Sequence, residues 1–164
     1  MAFVLFNLAA VAALIGIDQL IKLWAVQFLQ TLGAMPFIPH VVELRFVLNP
    51  GMAFSLLSGK QLFLIIATSA ALLAVAYGLF FRSRGKRLQQ AALVLVLGGG
   101  IGNLIDRIFR HGHVVDYLDF QLFDFAIFNF ADCCVVVGIV MFLIDMLFLE
   151  KKRSTAKKED APHV

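Results

Sequence analysis

Charge is scarce in this chain. Of 164 residues only 15% are Asp, Glu, Lys or Arg, while 61% are hydrophobic and the mean hydropathy is +0.90. That balance excludes an ordinary soluble domain. Cysteine is limited to the adjacent pair Cys133 and Cys134. Neighbouring cysteines seldom bridge without strain, and no His or Cys stands near them at ligand spacing, so they read as small packing residues and no metal site is expected. The string HExxH is missing, which disfavours a zinc peptidase. The glycine run GGGIGN at Gly98 to Asn103 follows no strand and lacks the lysine of a phosphate loop. It reads instead as a place where a neighbouring backbone comes close. No nucleophile elbow surrounds Ser55 or Ser58, and neither His40 nor His113 is tied to them by spacing. No cofactor is implied by any of these strings.

What is present is long apolar runs. A span needs about 20 such residues, and four stretches qualify, roughly 3–26, 62–81, 88–108 and 130–149. They form one membrane domain over residues 1–150, and the polar segment 151–164 reads as a disordered tail. The first run lacks a basic n-region and carries Asp18 and Lys22, which favours a retained span over a cleaved signal. Arg82, Arg84, Lys86 and Arg87 crowd one loop without an acid, and Lys151, Lys152, Arg153, Lys157 and Lys158 follow the last span. Both ends and that loop are therefore expected in the cytoplasm. The pI near 9.1 then reflects this bias and contact with anionic lipid, and no nucleic-acid partner is expected.

Under this topology the polar residues of the spans gather at one face. Asp18 and Lys22 fall in the outer half of the first span, spaced to share a helix face as an ion pair. Asn103, Asp106 and Arg107 lie near the outer end of the third, with Asp106 expected to pair with its neighbour Arg107. Asn129 and Asp132 open the fourth span at the same surface. Their spacing also suits a helix cap and its dipole. Asp116 lies in a short loop that returns towards the membrane. Asp145 stands apart near the cytoplasmic end, where it is expected to snorkel or meet a base.

Two acids held close cannot both ionise easily. One carboxylate can take a proton from water while its protonated partner donates to a carbonyl oxygen, which is the chemistry of aspartic peptide hydrolysis. A small proton-coupled transporter is the alternative use of such acids, but it would need polar residues through the midplane.

At these residues a family is recognisable. DQLIK from Asp18, NPGMAF from Asn49, GNLIDR from Gly102, GHVVDY from Gly112 and FNFAD from Phe128 occur in this order, and the chain closely resembles the bacterial lipoprotein signal peptidases, or signal peptidase II enzymes. The resemblance implies an all-α membrane protein of four transmembrane helices with a small periplasmic β-cradle, supplied in part by Val41 to Phe46. It implies an inner-membrane aspartic endopeptidase that cleaves diacylglyceryl-modified prolipoproteins just before the lipidated cysteine. Carried over residue by residue, it puts the catalytic pair on Asp116 and Asp132. Asn103, Arg107 and Asn129 become residues that hold the acids or the substrate. Asp18 and Lys22 become organisers of the first helix, and Asn49 and Gly51 lie near the substrate. Asp106 stands as a third acid in the neighbourhood. Tyr117 departs from the family, where Phe is commoner. Substrate prolipoproteins and membrane lipids are the expected partners of a monomer.

Overall fold

The computed structural model describes residues 1–51 and 57–149, so the expected tail 151–164 and Ser55 lie outside the described residues. Four long apolar helices, α1 (Ala2–Leu32), α2 (Gln61–Arg82), α3 (Arg87–Phe109) and α4 (Phe130–Leu149), carry a small antiparallel sheet at one end. Its strands are β1 (Ala34–Ile38), β2 (Val42–Asn49) and β3 (Val114–Phe120), in spatial order β1-β2-β3. The expected four-helix membrane fold with a β-cradle is what the chain adopts.

Helix α3 is the centre of the bundle: half of its apolar window is buried inside the protein, against 17% for each of the other three helices. The glycine run explains how. Successive helical residues point about 100° apart, so three consecutive glycines face three directions. A side chain at Gly98 would strike Leu14 of α1, one at Gly99 the Ala131 carbonyl of α4, and one at Gly100 Leu72 of α2. One turn of α3 thus lets three helices approach its backbone. Gly138 of α4 repeats the device lower down, against the Ala92 carbonyl. Gly99→Val should push α3 from α4 just beneath Asp132, because a backbone carbonyl cannot retreat as a side-chain tip can. We expect about 1–3 kcal/mol of destabilisation, the usual cost of overpacking, seen as a lower thermal midpoint in detergent. Gly16, with open space around it, should tolerate Ala.

Helix α1 continues well past Val26, where hydropathy alone placed the end of the span. The extension passes through a π-helical turn at Ala25–Leu29. It is held there because Ala25 and Leu29 are wholly buried with Leu44, Val115 and Tyr117 beneath the sheet. A second apolar cluster, of Val11, Leu72, Leu79, Leu93, Val94 and Leu97, fills the middle of the bundle. Large side chains such as Leu5, Phe6, Leu20, Leu73 and Phe81 remain on the outside, where a bilayer would cover them. Asp145 is fully buried inside the helices and does not snorkel along their surface.

Candidate active site

The sheet fixes the first acid. Asp116 belongs to β3 and not to a loop, because the chain reverses tightly after α3 through His111 and Gly112, at φ +55° and +85°, and starts the strand at Val114. Antiparallel pairing sets Asn49 opposite Val114 and Val47 opposite Asp116. Asn49 and Asp116 are therefore diagonal neighbours on one face of the sheet. The Asn49 Nδ2 donates to Asp116 Oδ2 at 2.9 Å, while its Oδ1 accepts from the Gly51 N–H at 2.9 Å.

The second acid is fixed by a helix cap. Asn129 caps α4: its Oδ1 accepts from the Asp132 N–H at 3.0 Å, and the Asn129 N–H donates to Asp132 Oδ2 at 3.1 Å. The sequence left open whether these two residues cap the helix or serve the site, and they do both. Asn129 Nδ2 points the other way and donates to Asp116 Oδ1 at 2.7 Å. A single buried asparagine thus lies between the two carboxyls. Asn103 Nδ2 reaches Asp132 Oδ1 at 2.7 Å from α3.

Which end of each amide faces the acids is dictated by its other partner. A lysine ammonium only donates, so the atom of Asn103 that meets Lys22 Nζ at 2.8 Å must be its oxygen. Backbone N–H groups fix Asn129 and Asn49 in the same way. All three amide nitrogens are thereby aimed at Asp116 and Asp132. Lys22 is fully buried and spends its remaining donors on Asp18 at 2.9 Å and Asp106 at 3.0 Å.

The expected pairing of Asp106 with Arg107 does not occur. Adjacent residues on a helix point about 100° apart, so Asp106 turns inward to Lys22 and also meets Arg110 Nε at 3.2 Å and the Val115 N–H at 3.2 Å. Arg107 turns to the cavity, where Nη2 donates to the Gly51 carbonyl at 3.1 Å and Nη1 to that of Asn103 at 3.4 Å. Its Nε is buried and has no hydrogen-bond partner among the described residues. Asp18 and Lys22 form the ion pair their spacing suggested, and Gly102 makes room for it, since any Cβ there would collide with Asp18.

Above and beside the acids lies a cavity of about 510 Å³. Asn49, Asn103, Arg107, Asp116 and Asp132 line its polar end, and Phe120, Phe125, Phe128 and the α4 residues Val135, Val136 and Val137 line the rest. Asp106 is not among the lining residues. Burial pushes the Asp116 carboxyl up to about 7 and the nearby Asp132 charge adds to this, against the hydrogen bonds from Asn49 and Asn129 and the field of Lys22. The site therefore holds a carboxyl poised near neutrality, a second carboxyl at a helix N-terminus, and amide donors already oriented around both.

Sequence reading missed several contributors. Gln19, a polar residue within an apolar run, donates to Asp18 at 3.1 Å, to the Gly102 carbonyl at 3.2 Å and to Asp106 at 3.3 Å. The aromatic wall was visible as a density of phenylalanines between Phe120 and Phe130, with Phe120, Phe125 and Phe128 rings 5.4–6.4 Å apart. Tyr117 uses the atom that distinguishes it from Phe: its hydroxyl accepts from the Phe130 N–H at 3.1 Å. Burial raises the phenol above its ordinary value, so it stays neutral. This bond ties the strand carrying Asp116 to the helix carrying Asp132. Tyr117→Phe should cost about 1 kcal/mol, measured as a lower thermal midpoint, with cleavage largely retained because Asn129 still joins the two elements.

Residues 10–148 match the family model described as signal peptidase (SPase) II. This chain belongs to the signal peptidase II family. A lipoprotein signal peptidase of Clostridioides difficile (strain 630) is 43% identical over 141 residues, which cover 85% of this chain and 93% of that one. One of Streptococcus pyogenes serotype M1 is 39% identical over 134 residues, 80% of this chain and 86% of the other. Two solved structures described as bacterial membrane enzymes share the fold. One has TM-score 0.83 at 28% identity over 97% of this chain and 94% of its own, the other 0.79 at 30% identity over 87% and 93%. The protein is thus a multi-pass membrane aspartic peptidase of the signal peptidase II family. The matched span runs from before Asp18 to beyond Asp132 and so includes every residue of the constellation.

Proposed function

We propose that this signal peptidase II removes signal peptides from diacylglyceryl-modified prolipoproteins, cutting just before the lipidated cysteine, with Asp116 and Asp132 as the catalytic pair. The observation that carries this reading is Asn129, bonded at once to both acids beside a cavity that is polar at one end and apolar along the rest. In the proposed reaction water attacks the scissile carbonyl carbon as Asp132 takes its proton and Asp116 gives its own to the carbonyl oxygen. The tetrahedral diol then collapses: the C–N bond breaks, the proton taken by Asp132 leaves on the amine, and one diol hydroxyl returns its proton to Asp116 as the new carboxyl group forms. Asp132 suits the basic role because the positive end of the α4 dipole favours negative charge there over the strand position of Asp116. Arg107 Nε, buried beside the acids and without a partner among the described residues, is placed to donate to a substrate carbonyl. Asp18, Lys22, Asn49, Gly51, Asn103, Asp106 and Asn129 act by holding the pair and the donors in place.

The apolar length of the cavity suits acyl chains and the end of a signal helix, both of which partition into the bilayer and bring the scissile bond to its outer edge. Backbone unwound at that depth needs shelter inside protein. The basic loop at 82–87 sets the proposed topology, with both ends cytoplasmic and the sheet on the periplasmic side of the inner membrane. A monomer in lipid suffices for this chemistry, and no cofactor enters it. A transporter reading fits worse, because the apolar cluster around Val11, Leu72, Leu93 and Leu97 fills the bundle beneath the site.

The proposed roles give a signed pH dependence. Asp116 must be protonated and Asp132 ionised, so kcat/KM should fall as pH rises through about 7 and fall again at the acid end as Asp132 takes up a proton. The Asn49 hydrogen bond lowers the Asp116 value, so Asn49→Ala should move the alkaline limb to higher pH. Cleavage of a diacylglyceryl-modified prolipoprotein by purified enzyme across pH 5–9 reads both. An alkaline limb that ignores Asn49→Ala removes Asp116 from the proton-donating role.

A further inference from the structure

At the end of the bundle opposite the acids, α1 and α3 leave a groove of about 730 Å³. Phe6, Ala10, Ala13, Leu14, Ala91 and Leu95 give it apolar walls, opened by the three alanines, where larger side chains would have closed the helices together. Its mouth is basic. Arg87 lines it, and Arg84 lies over the ring of Phe3 at 5.4 Å, one helical turn before Phe6 and Asn7. Among the described residues no acid lines the groove. The mouth also coincides with the N-terminus of α3, a helix of 23 residues that no side chain caps and whose first turn holds no acid. Positive helix dipole and guanidinium charge therefore converge where the apolar channel opens.

We propose that this groove binds one anionic diacylphospholipid of the cytoplasmic leaflet, with its phosphate on Arg84, Arg87 and the amino end of α3 and an acyl chain between α1 and α3. Length agrees: Arg87 to Leu95 on α3 and Phe6 to Leu14 on α1 each rise about 12 Å at 1.5 Å per residue. One leaflet of hydrocarbon is about 15 Å deep. Charge decides against the other occupants. A signal peptide brings a positively charged n-region to this side of the membrane, and a second copy of the chain would bring the same basic loop, so both meet like charge. A zwitterionic lipid fills the apolar channel equally well but leaves the guanidinium groups without a net counter-charge.

Native mass spectrometry of the full-length protein, released from micelles holding equal amounts of phosphatidylglycerol and phosphatidylcholine, tests the site. The expected spectrum shows a monomer with one phosphatidylglycerol adduct in preference to phosphatidylcholine. A basic residue near the lipid surface is worth about fivefold in affinity, so R84Q/R87Q should lose on the order of 25-fold. Ala91→Phe, which fills the channel and keeps both charges, should lose the adduct as well. Prolipoprotein cleavage by each variant reports that it is folded, since none of these residues lies near the acids. Equal retention of the two lipids, an adduct unmoved by R84Q/R87Q or by Ala91→Phe, a wild type with no adduct, or a dimer in place of the lipid-bound monomer would each overturn the proposal.

Discussion

Asp116→Asn and Asp132→Asn should each lower kcat/KM for a diacylglyceryl-modified prolipoprotein by a factor on the order of 10² to 10⁴, the range that positioned acid–base groups supply. The amide keeps the shape of the carboxyl but can neither take a proton from water nor yield one to the carbonyl. In the proposed mechanism the two acids act on one transition state, so the double variant should be little worse than either single one. The thermal midpoint separates chemistry from folding. Asp116 is 2% exposed and each of its oxygens accepts from an asparagine amide, so the new amide turns one donor towards another and should lower stability by about 1–3 kcal/mol, the cost of one spoiled buried hydrogen bond. Asp106→Asn should differ, because Asp106 meets Lys22, Arg110 and the Val115 N–H and does not line the cavity. Its loss should show mainly as a lower midpoint. Parental rates in either Asp116→Asn or Asp132→Asn would sink the assignment of the pair.

The second large effect is expected at a residue that does not line the cavity. Lys22→Met should both destabilise the protein and disable the site. Its ammonium is wholly buried and its three partners, Asp18, Asp106 and Asn103, match its three hydrogens. Deleting one side of a buried ionic cluster costs about 3–5 kcal/mol, because the remaining charges keep their burial and lose their partner. The effect on activity has a separate cause. With only the Asn129 Nδ2 at 3.1 Å left to hold its oxygen, Asn103 is less firmly kept from turning that oxygen towards Asp132, which would replace an attraction by a repulsion. Combining Lys22→Met with Asp18→Asn and Asp106→Asn removes the orphaned charges. That triple variant should regain much of the thermal midpoint and little of the kcat. Full recovery of both would show that Lys22 serves stability alone.

Much of this was legible before any coordinates. Scarcity of charge and four apolar runs fixed a membrane bundle, and the depth of Asp18, Lys22, Asn103, Asn129 and Asp132 within those runs gathered them at one face. Hydropathy could not see the carboxyl end of α1, because Ala25 and Leu29 are buried against a sheet that lies far away in sequence. Nor could it see that Asp116 is a strand residue, since β3 is defined by its pairing with β2 and the turn at Gly112. The pairing of Asp106 with Arg107 failed on helical geometry, where a neighbour in sequence faces another direction and the true partner, Lys22, comes from another helix. The aim of the three asparagine amides is a property of assembled contacts, and no string of letters contains it.

The three glycines of α3 also determine what the bundle lacks. With α1, α2 and α4 each drawn to its own side of one axle, no helix among the described residues covers the outer flank of α4, and Val136, Val137 and Val140 stand 60%, 50% and 49% exposed there. On the proposed reading a signal helix that lodges on this flank, with its end in the cavity, is a temporary fifth spoke. The enzyme is then an unfinished bundle that each substrate completes, and cleavage, by severing that spoke from its cargo, restores the vacancy.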